Sequence, residues 1–239
     1  ELNFDSNTLK FVFSEKFLRE FQSSLILQSL EIIRKRVDEV GTNEPIIQIQ
    51  GKERVLVQLP GLKDPDRIKN LLGKTAKMNF RMVDEKAMRD INSKRYFVGS
   101  EILEDDDIGM KYVIKKRVGV SGDALVDANA SVDQFNVPIV SIRFDALGSR
   151  KFADLTSKNV GKRFAIVLDN KVISAPVIRE AIPTGNAQIS GNFTFETAND
   201  LAILLRAGSL PAPIKIIEER TVGPSLGQDS INAGVVSVS

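Results

Sequence analysis

The sequence contains no cysteine, no histidine and no tryptophan. Without cysteine there is no disulfide, and the redox compartment cannot be read from the thiols. With both cysteine and histidine missing, the common zinc sites cannot be assembled, and neither a Ser-His nor a Cys-His nucleophile can be built. Paired carboxylates or a Ser-Lys pair are the hydrolytic options that remain. Long apolar runs are missing too. The tail from Ile231 to Ser239 carries no charge, yet it is far shorter than the roughly 20 apolar residues that cross a bilayer. Glu1-Leu2-Asn3 opens with neither a basic nor a long apolar segment, so no signal peptide is expected there. Charge of one sign is also lacking. With 33 basic and 31 acidic residues the formal net charge is +2, which gives no sequence-independent pull toward nucleic acid.

What is present is the composition of a soluble globular protein, 42% apolar and 27% charged over 239 residues, long enough for two small domains. Leu9 to Phe13 reads as a strand. Ser14 is placed to cap a long amphipathic helix whose apolar face carries Leu18, Phe21, Leu25, Ile26, Leu30, Ile33, Val37 and Val40, and Gly41 ends it. Ile47 and Ile49 alternate with glutamines. After the Gly51-Lys52 turn, Val55, Val57 and Leu59 alternate as their hairpin partner. Asp64-Pro65 starts a second helix with Ile68, Leu71 and Leu72 on one stripe and Gly73 at its end. Met78, Phe80 and Met82 alternate in a last strand. The order β-α-β-β-α-β predicts a ferredoxin-like unit complete by about Asp84, and so an α+β fold.

Asp84 to Ala130 is less regular, with strands expected at Tyr96 to Val98 and Met110 to Ile114 around the acidic run Glu104 to Asp107. That run lacks the alternating ligands and central glycine of a calcium loop and reads as solvated. Lys115-Lys116-Arg117 reads as a strand end in water. Gly119-Val120-Ser121-Gly122-Asp123 lacks the strand-to-helix context of a phosphate loop. A second unit begins near Val140. A strand ends at Phe144, and a helix follows with Phe152, Leu155 and Val160 on one face and Gly161 after it. Phe164 to Leu168 and Lys171 to Ile178 form a hairpin around Asp169-Asn170. A strand at Ala187 to Ser190, a helix from Glu196 to Arg206 and a strand at Ile214 to Ile217 complete it. Leu210-Pro211-Ala212-Pro213 is the linker candidate.

Val177, Ile178, Ile182, Phe193 and Phe195 are the candidates for an apolar contact surface, for which the alternative is burial in the core. Pro176 cannot donate to a sheet ladder, which marks its strand as an edge or a bulge. An edge beside apolar side chains suits an extended polypeptide added as a further strand. Asp145 and Asp169 stand at strand ends. As a pair across a cleft they would do acid-base work; as separate residues, Asp145 caps a helix and Asp169 makes a turn, and local geometry favours the second reading.

Five stretches carry a resemblance. They are Arg36-Val37-Asp38-Glu39-Val40-Gly41 with Glu44-Pro45, Asn159 to Asp169, Ser174 to Ile178, Leu205 to Pro213 and Gly223 to Ile231. Together they resemble the periplasmic region of the SecD family, subunits of the SecDF protein-translocation machinery. The resemblance implies a membrane-proximal base, residues 1–84 with 213–228, and an inserted head, residues 85–212. Residues 229–239 would begin a membrane span, and the chain would be an extramembrane portion facing the periplasm from the bacterial inner membrane. It implies a part that is not an enzyme and needs no cofactor or metal. The head would hold unfolded preprotein leaving the SecYEG channel and swing on a hinge, for which Asp84, Gly208, Pro211 and Pro213 are the candidates. That swing would hinder backsliding, driven by a proton gradient acting through spans this chain does not contain. SecF, SecYEG and preprotein are the implied partners, and nucleic acid is not one. A holding surface of this kind binds many sequences at micromolar strength or weaker, on the order of 8 kcal/mol or less. The alternatives are a docking module for other Sec subunits that never touches substrate, and a carboxylate-dependent hydrolase.

Overall fold

The structure, a computed structural model, describes residues 2–5, 8–62, 64–91, 98–105 and 109–220, with the backbone alone for residues 2–11. A short hairpin, β1 (Leu2–Asp5) and β2 (Thr8–Phe11), leads into α1 (Glu15–Val40). Ser14 caps α1, its hydroxyl accepting the Phe17 N–H at 3.3 Å, and Gly41 stops it in the left-handed region at φ 77°. The antiparallel pair β3 (Ile46–Gln50) and β4 (Arg54–Gln58) follows. Asp64 then caps α2 (Pro65–Gly73) by accepting the Arg67 N–H at 3.0 Å, with proline at the first helical position where no amide partner is lost. Ile33 and Val37 of α1 pack with Leu210 against Ile47, Val55 and Val57, giving this first unit its own small core.

β5 (Met78–Val83) does not complete that unit's sheet. Where the sequence predicts one strand before α1, the structure has the separate hairpin β1–β2; β5 in turn pairs with strands that come later, and the β3–β4 ladder stays two-stranded. The physical reason lies in the strand itself. Met78, Phe80 and Val83 are buried, and so is Arg81, whose Nε donates to the Lys115 carbonyl at 2.8 Å while Nη1 meets Glu101 at 2.7 Å. A strand covered on both faces needs a central place with a neighbour on each side.

The short helix α3 (Glu85–Met88) leads on to β6 (Ser100–Glu104), the long β7 (Lys111–Ser121), β8 (Leu125–Val132) and β9 (Pro138–Phe144). Then come α4 (Ala146–Ser157), β10 (Phe164–Leu168), β11 (Lys171–Ser174), β12 (Asn186–Ser190) and α5 (Phe195–Ala207). The main sheet is antiparallel in the order β11-β10-β5-β7-β6, and a second has the order β12-β9-β8. The ends of the main sheet meet, because Asp105, just past β6, bridges Val172 of β11. Curled in this way, it encloses Tyr112, Ile114, Ala165, Val167 and Val172 on one face. On the other face four phenylalanines, Phe80, Phe144, Phe152 and Phe164, meet with ring centroids 5.0 to 6.2 Å apart.

The fold is therefore α+β in two parts, as expected, with several local differences. Ile214 to Ile217 forms no strand: Ile214 packs on the first unit's core, while Ile216 and Ile217 are exposed. Lys115-Lys116-Arg117 lies within β7 rather than at a strand end, exposed where the ladder to β5 is irregular. Gly122–Ala124 makes a single tight turn of helix. Tyr96, Phe97, Asp106, Asp107 and the tail expected to begin a membrane span lie outside the described residues. Among the described residues, no helix is long and apolar enough to cross a membrane.

Candidate functional site

The apolar candidates divide into two groups. Ile178 is 3% exposed and belongs to the main core, against which Ile182 and Phe193 also pack, both half-buried. Val177 and Phe195 stand outside it, 46% and 62% exposed. Backbone pairing explains the split. Beyond β11 the chain continues past Pro176, whose carbonyl accepts the Phe164 N–H at 3.1 Å. Ile178 then exchanges hydrogen bonds with the 161–162 turn: its carbonyl accepts from Gly161 at 2.8 Å and its N–H donates to the Lys162 carbonyl at 2.9 Å. With this register fixed, side chains alternate, so Ile178 turns inward and Val177 outward. The register shift between Ile166 and Val167 leaves Ile173 as the extra residue of a bulge on β11, while Pro176 lies past the end of that strand.

The outer side of β11 is met by Asp105, whereas among the described residues β12 is a terminal strand of its sheet, as is β8 at the other end, with Asn186, Gln188 and Ser190 exposed on one face of β12. Phe193 and Phe195 follow this edge directly. The Phe193 ring lies against Gly191, where an added Cβ would fall 3.0 Å from it. Thr194 caps α5 reciprocally with Thr197, which fixes Phe195 at the first helical position with its ring in water.

Asp145 and Asp169 are both held by backbone donors on different elements. Asp145 accepts the Gly148 N–H at 2.6 Å at the start of α4. Asp169 makes the β10–β11 turn with Asn170, at φ 48° and 65°, and also reaches far along the chain. Its carboxylate accepts the Thr75 hydroxyl at 2.7 Å and the Ala76 and Lys77 N–H groups at 2.9 Å each.

The hinge candidates fall in two environments. Asp84 caps α3 through the Ala87 N–H at 3.1 Å and accepts the Ser100 hydroxyl at 2.9 Å. Burial alone would raise its carboxyl, but these hydrogen bonds and the charge of Lys115 outweigh it and hold the group below its ordinary range. Gly208 ends α5 at φ 92°, and two residues on Leu210 donates its N–H to the Thr75 carbonyl at 2.8 Å. Pro211 and Pro213 are exposed.

Three arginines that the sequence reading did not single out join the parts here. Arg67 of α2 grips Asp200 of α5 through Nε at 3.0 Å and Nη2 at 2.5 Å, with Glu196 at 3.4 Å; the hydrogen bond to Asp200 raises its pKa above the ordinary arginine value. Arg206 of α5 meets Glu39 of α1. Arg36, fully buried on α1, donates to a cluster of backbone carbonyls. Burial lowers the Arg36 pKa to about 10, partly offset by the charge of Asp169. Arg36 carried a signal that could have been read: it lies on the buried stripe, between Ile33 and Val37, where a cation needs partners.

Comparison with known proteins places these features. Residues 100–212 match the family model of the SecDF P1 head subdomain, and residues 26–85 that of the N-terminal P1 domain of the protein translocase subunit SecDF. The protein translocase subunit SecD of Rickettsia bellii is 50% identical over 98% of this chain and 46% of its own length. That of Calditerrivibrio nitroreducens is 48% identical over 98% of this chain and 48% of its own. The chain thus spans about half the length of the curated relatives it matches. Among solved structures, SecDF in its super-membrane-facing form matches with TM-score 0.69 and 38% identity over 90% of this chain and 30% of that one. A structure of a membrane component SecDF that enhances protein export matches with TM-score 0.67 and 36% identity over 84% of this chain and 94% of that one.

Proposed function

The chain belongs to the SecD family of protein translocase subunits, and from that premise we propose that it is the extramembrane part that holds an emerging polypeptide. Residues 85–212 would act as the head and residues 1–84 with 213–228 as the base, on the periplasmic side of the inner membrane. SecF and the SecYEG channel would be its neighbours. The observation that carries the reading is the terminal strand β12, with a neighbour on one side alone among the described residues, running directly into Phe193 and Phe195, with Phe195 exposed. An edge strand offers backbone hydrogen bonds to any extended chain, and an exposed aromatic adds contact without reading one sequence. Binding of that kind is weak and general, which suits a chain that must be passed on.

Head motion relative to the base would hinder the held segment from slipping back. The described residues would bind polypeptide but not transduce a proton gradient, since among them no helix is long and apolar enough to cross a membrane. The test is fluorescence anisotropy of a labelled unfolded preprotein segment titrated with the chain. Saturation at micromolar or weaker affinity, about 8 kcal/mol or less, supports holding, and nanomolar affinity for one defined sequence contradicts it.

A second reading rests on a separate observation. Phe13, just before the Ser14 cap, stacks on Phe17 and Phe17 on Phe21 of α1 with centroids 5.1 and 5.9 Å apart, all three exposed. Such a face favours docking of another Sec subunit on the first unit, and crosslinks confined to α1 with a silent head would support this role alone.

A further inference from the structure

The second sheet ends in two strands, β8 and β12, and they differ in what reaches their outer sides. Along an antiparallel pair, residues that exchange N–H and C=O with the partner alternate with residues whose groups point away from it. Where β8 turns into β9, the Asp133 N–H donates to the Val137 carbonyl at 2.9 Å. Counted back by twos through the register, Ser131 and Asn129 face β9, so Ala130 and Ala128 point outward. The outward carbonyl of Ala128 is already taken, by Arg206 of α5 at 3.0 Å, and Ala128 is buried.

On β12 the phase is set by the Phe144 N–H, which donates to the Gly185 carbonyl at 3.0 Å. The register then runs without a shift from Asn186 opposite Arg143 to Ser190 opposite Ile139. Ala187 and Ile189 therefore turn their backbone groups to β9, while Asn186, Gln188 and Ser190 turn theirs outward. Among the described residues, no group bonds to these outward amides and carbonyls. The side chains alternate as well: those of Asn186, Gln188 and Ser190 are exposed, Ala187 is half-buried and Ile189 is buried.

We propose that β12 takes polypeptide as an antiparallel strand, and that the positions it holds by backbone and the positions it reads by side chain alternate out of phase. This rests on the holding function given above and names the kind of segment held. Residues of the added strand opposite Asn186, Gln188 and Ser190 exchange both backbone bonds with β12, and their side chains share the solvent face with those three. Residues opposite Ala187 and Ile189 share the face of the buried Ile189, and their own amides point away from β12. The segment is therefore apolar at every second position, and at those positions it needs no N–H. Proline is tolerated in the apolar phase and rejected in the other. The antiparallel sense follows the pairings already in this sheet, which are also the more stable per residue. A parallel strand would put the bonded amides and the core-facing side chains on the same residues.

The probe is a fluorescent peptide of alternating valine and serine, just long enough to fill β12 once, titrated with the chain and read by anisotropy. Two further peptides carry N-methyl groups on all the serines or on all the valines. Serine methylation is expected to weaken binding at least about tenfold, and valine methylation to change it by less than about twofold. On the protein side, Gln188→Pro removes an outward N–H without touching the ladder to β9. It is expected to weaken binding of the parent peptide about fivefold with circular dichroism retained. Equal loss from both methylated peptides, loss confined to the valine set, or a folded Gln188→Pro chain with unchanged affinity overturns the proposal and leaves holding in place. If Gln188→Pro does not fold, the peptide pair decides. A parent peptide that does not saturate removes the holding function and this inference together.

Discussion

Arg206 of α5 grips both carboxylate oxygens of Glu39 on α1, through Nε to Oε1 at 2.8 Å and through Nη2 to Oε2. The same guanidinium donates to the Ala128 carbonyl at 3.0 Å and to Asn129 Oδ1 at 2.8 Å on β8. One residue near the end of α5 therefore joins three elements. The pair itself is about a third exposed, with side-chain accessibilities of 30% and 32%, so water and salt screen it. Glu39→Gln is expected to cost about 0.5 kcal/mol or less. Arg206→Ala also leaves the Ala128 carbonyl without its donor and is expected to cost about 1–2 kcal/mol. Urea denaturation of both single variants and the double variant measures the coupling, which should shrink in high salt. An Arg206→Ala cost no larger than that of Glu39→Gln would show that the bonds to β8 contribute nothing.

Asp84 predicts a pH dependence. Its carboxyl titrates below the ordinary value of 3.8 in the folded chain. A depressed carboxylate pKa gives stability that is fully present above the unfolded-state value and is lost as pH falls through the folded-state value. Asp84→Asn should therefore be less stable than the parent at neutral pH, and the gap should narrow as pH drops below about 4. Thermal melts of the two proteins across the acid range check this, and a gap independent of pH counts against the assignment.

Ile178 and Phe195 separate stability from binding. Ile178→Ala opens the core and is expected to cost about 2–5 kcal/mol. Phe195→Ser removes an exposed ring and is expected to change stability by no more than about 0.5 kcal/mol, while weakening preprotein binding severalfold. Denaturation and anisotropy measured on the same two variants resolve the two effects.

Phe80 sits at 0% exposure among Phe144, Phe152 and Phe164. Phe80→Ala removes three ring contacts and leaves a cavity under α4, for an expected loss of about 3–5 kcal/mol. Because β5 is central to the main sheet, the loss should appear in the amide exchange of β7 and β10 and leave β3 and β4 unaffected.

Local chemistry was legible in the sequence. Ser14, Asp64 and Asp145 cap the helices they precede, Gly41 ends α1, and Asp169-Asn170 makes the turn its residue types suit. Each of these depends on bonds within a few residues, which one chain spells out. Partners distant in sequence were not legible. Alternation at Met78, Phe80 and Met82 says that β5 is a strand but not which sheet it joins. The reach of Asp169 to Thr75, of Arg67 to Asp200 and of Arg36 to Gly208 depends on how whole units pack. Of the contact candidates, the residue types marked all five as apolar, but only the backbone register decided that Val177 faces water and Ile178 the core.

The central claim, that the second unit holds unfolded polypeptide at the β12 edge, is tested most directly by NMR titration of the isotope-labelled chain with an unfolded preprotein segment. The account predicts fast-exchange shifts concentrated on Asn186 to Ser190, Phe193, Phe195 and Val177, with α1 to β4 unmoved. No shifts at millimolar peptide, or shifts confined to α1 and the β3–β4 pair, would contradict it and leave the docking role in its place.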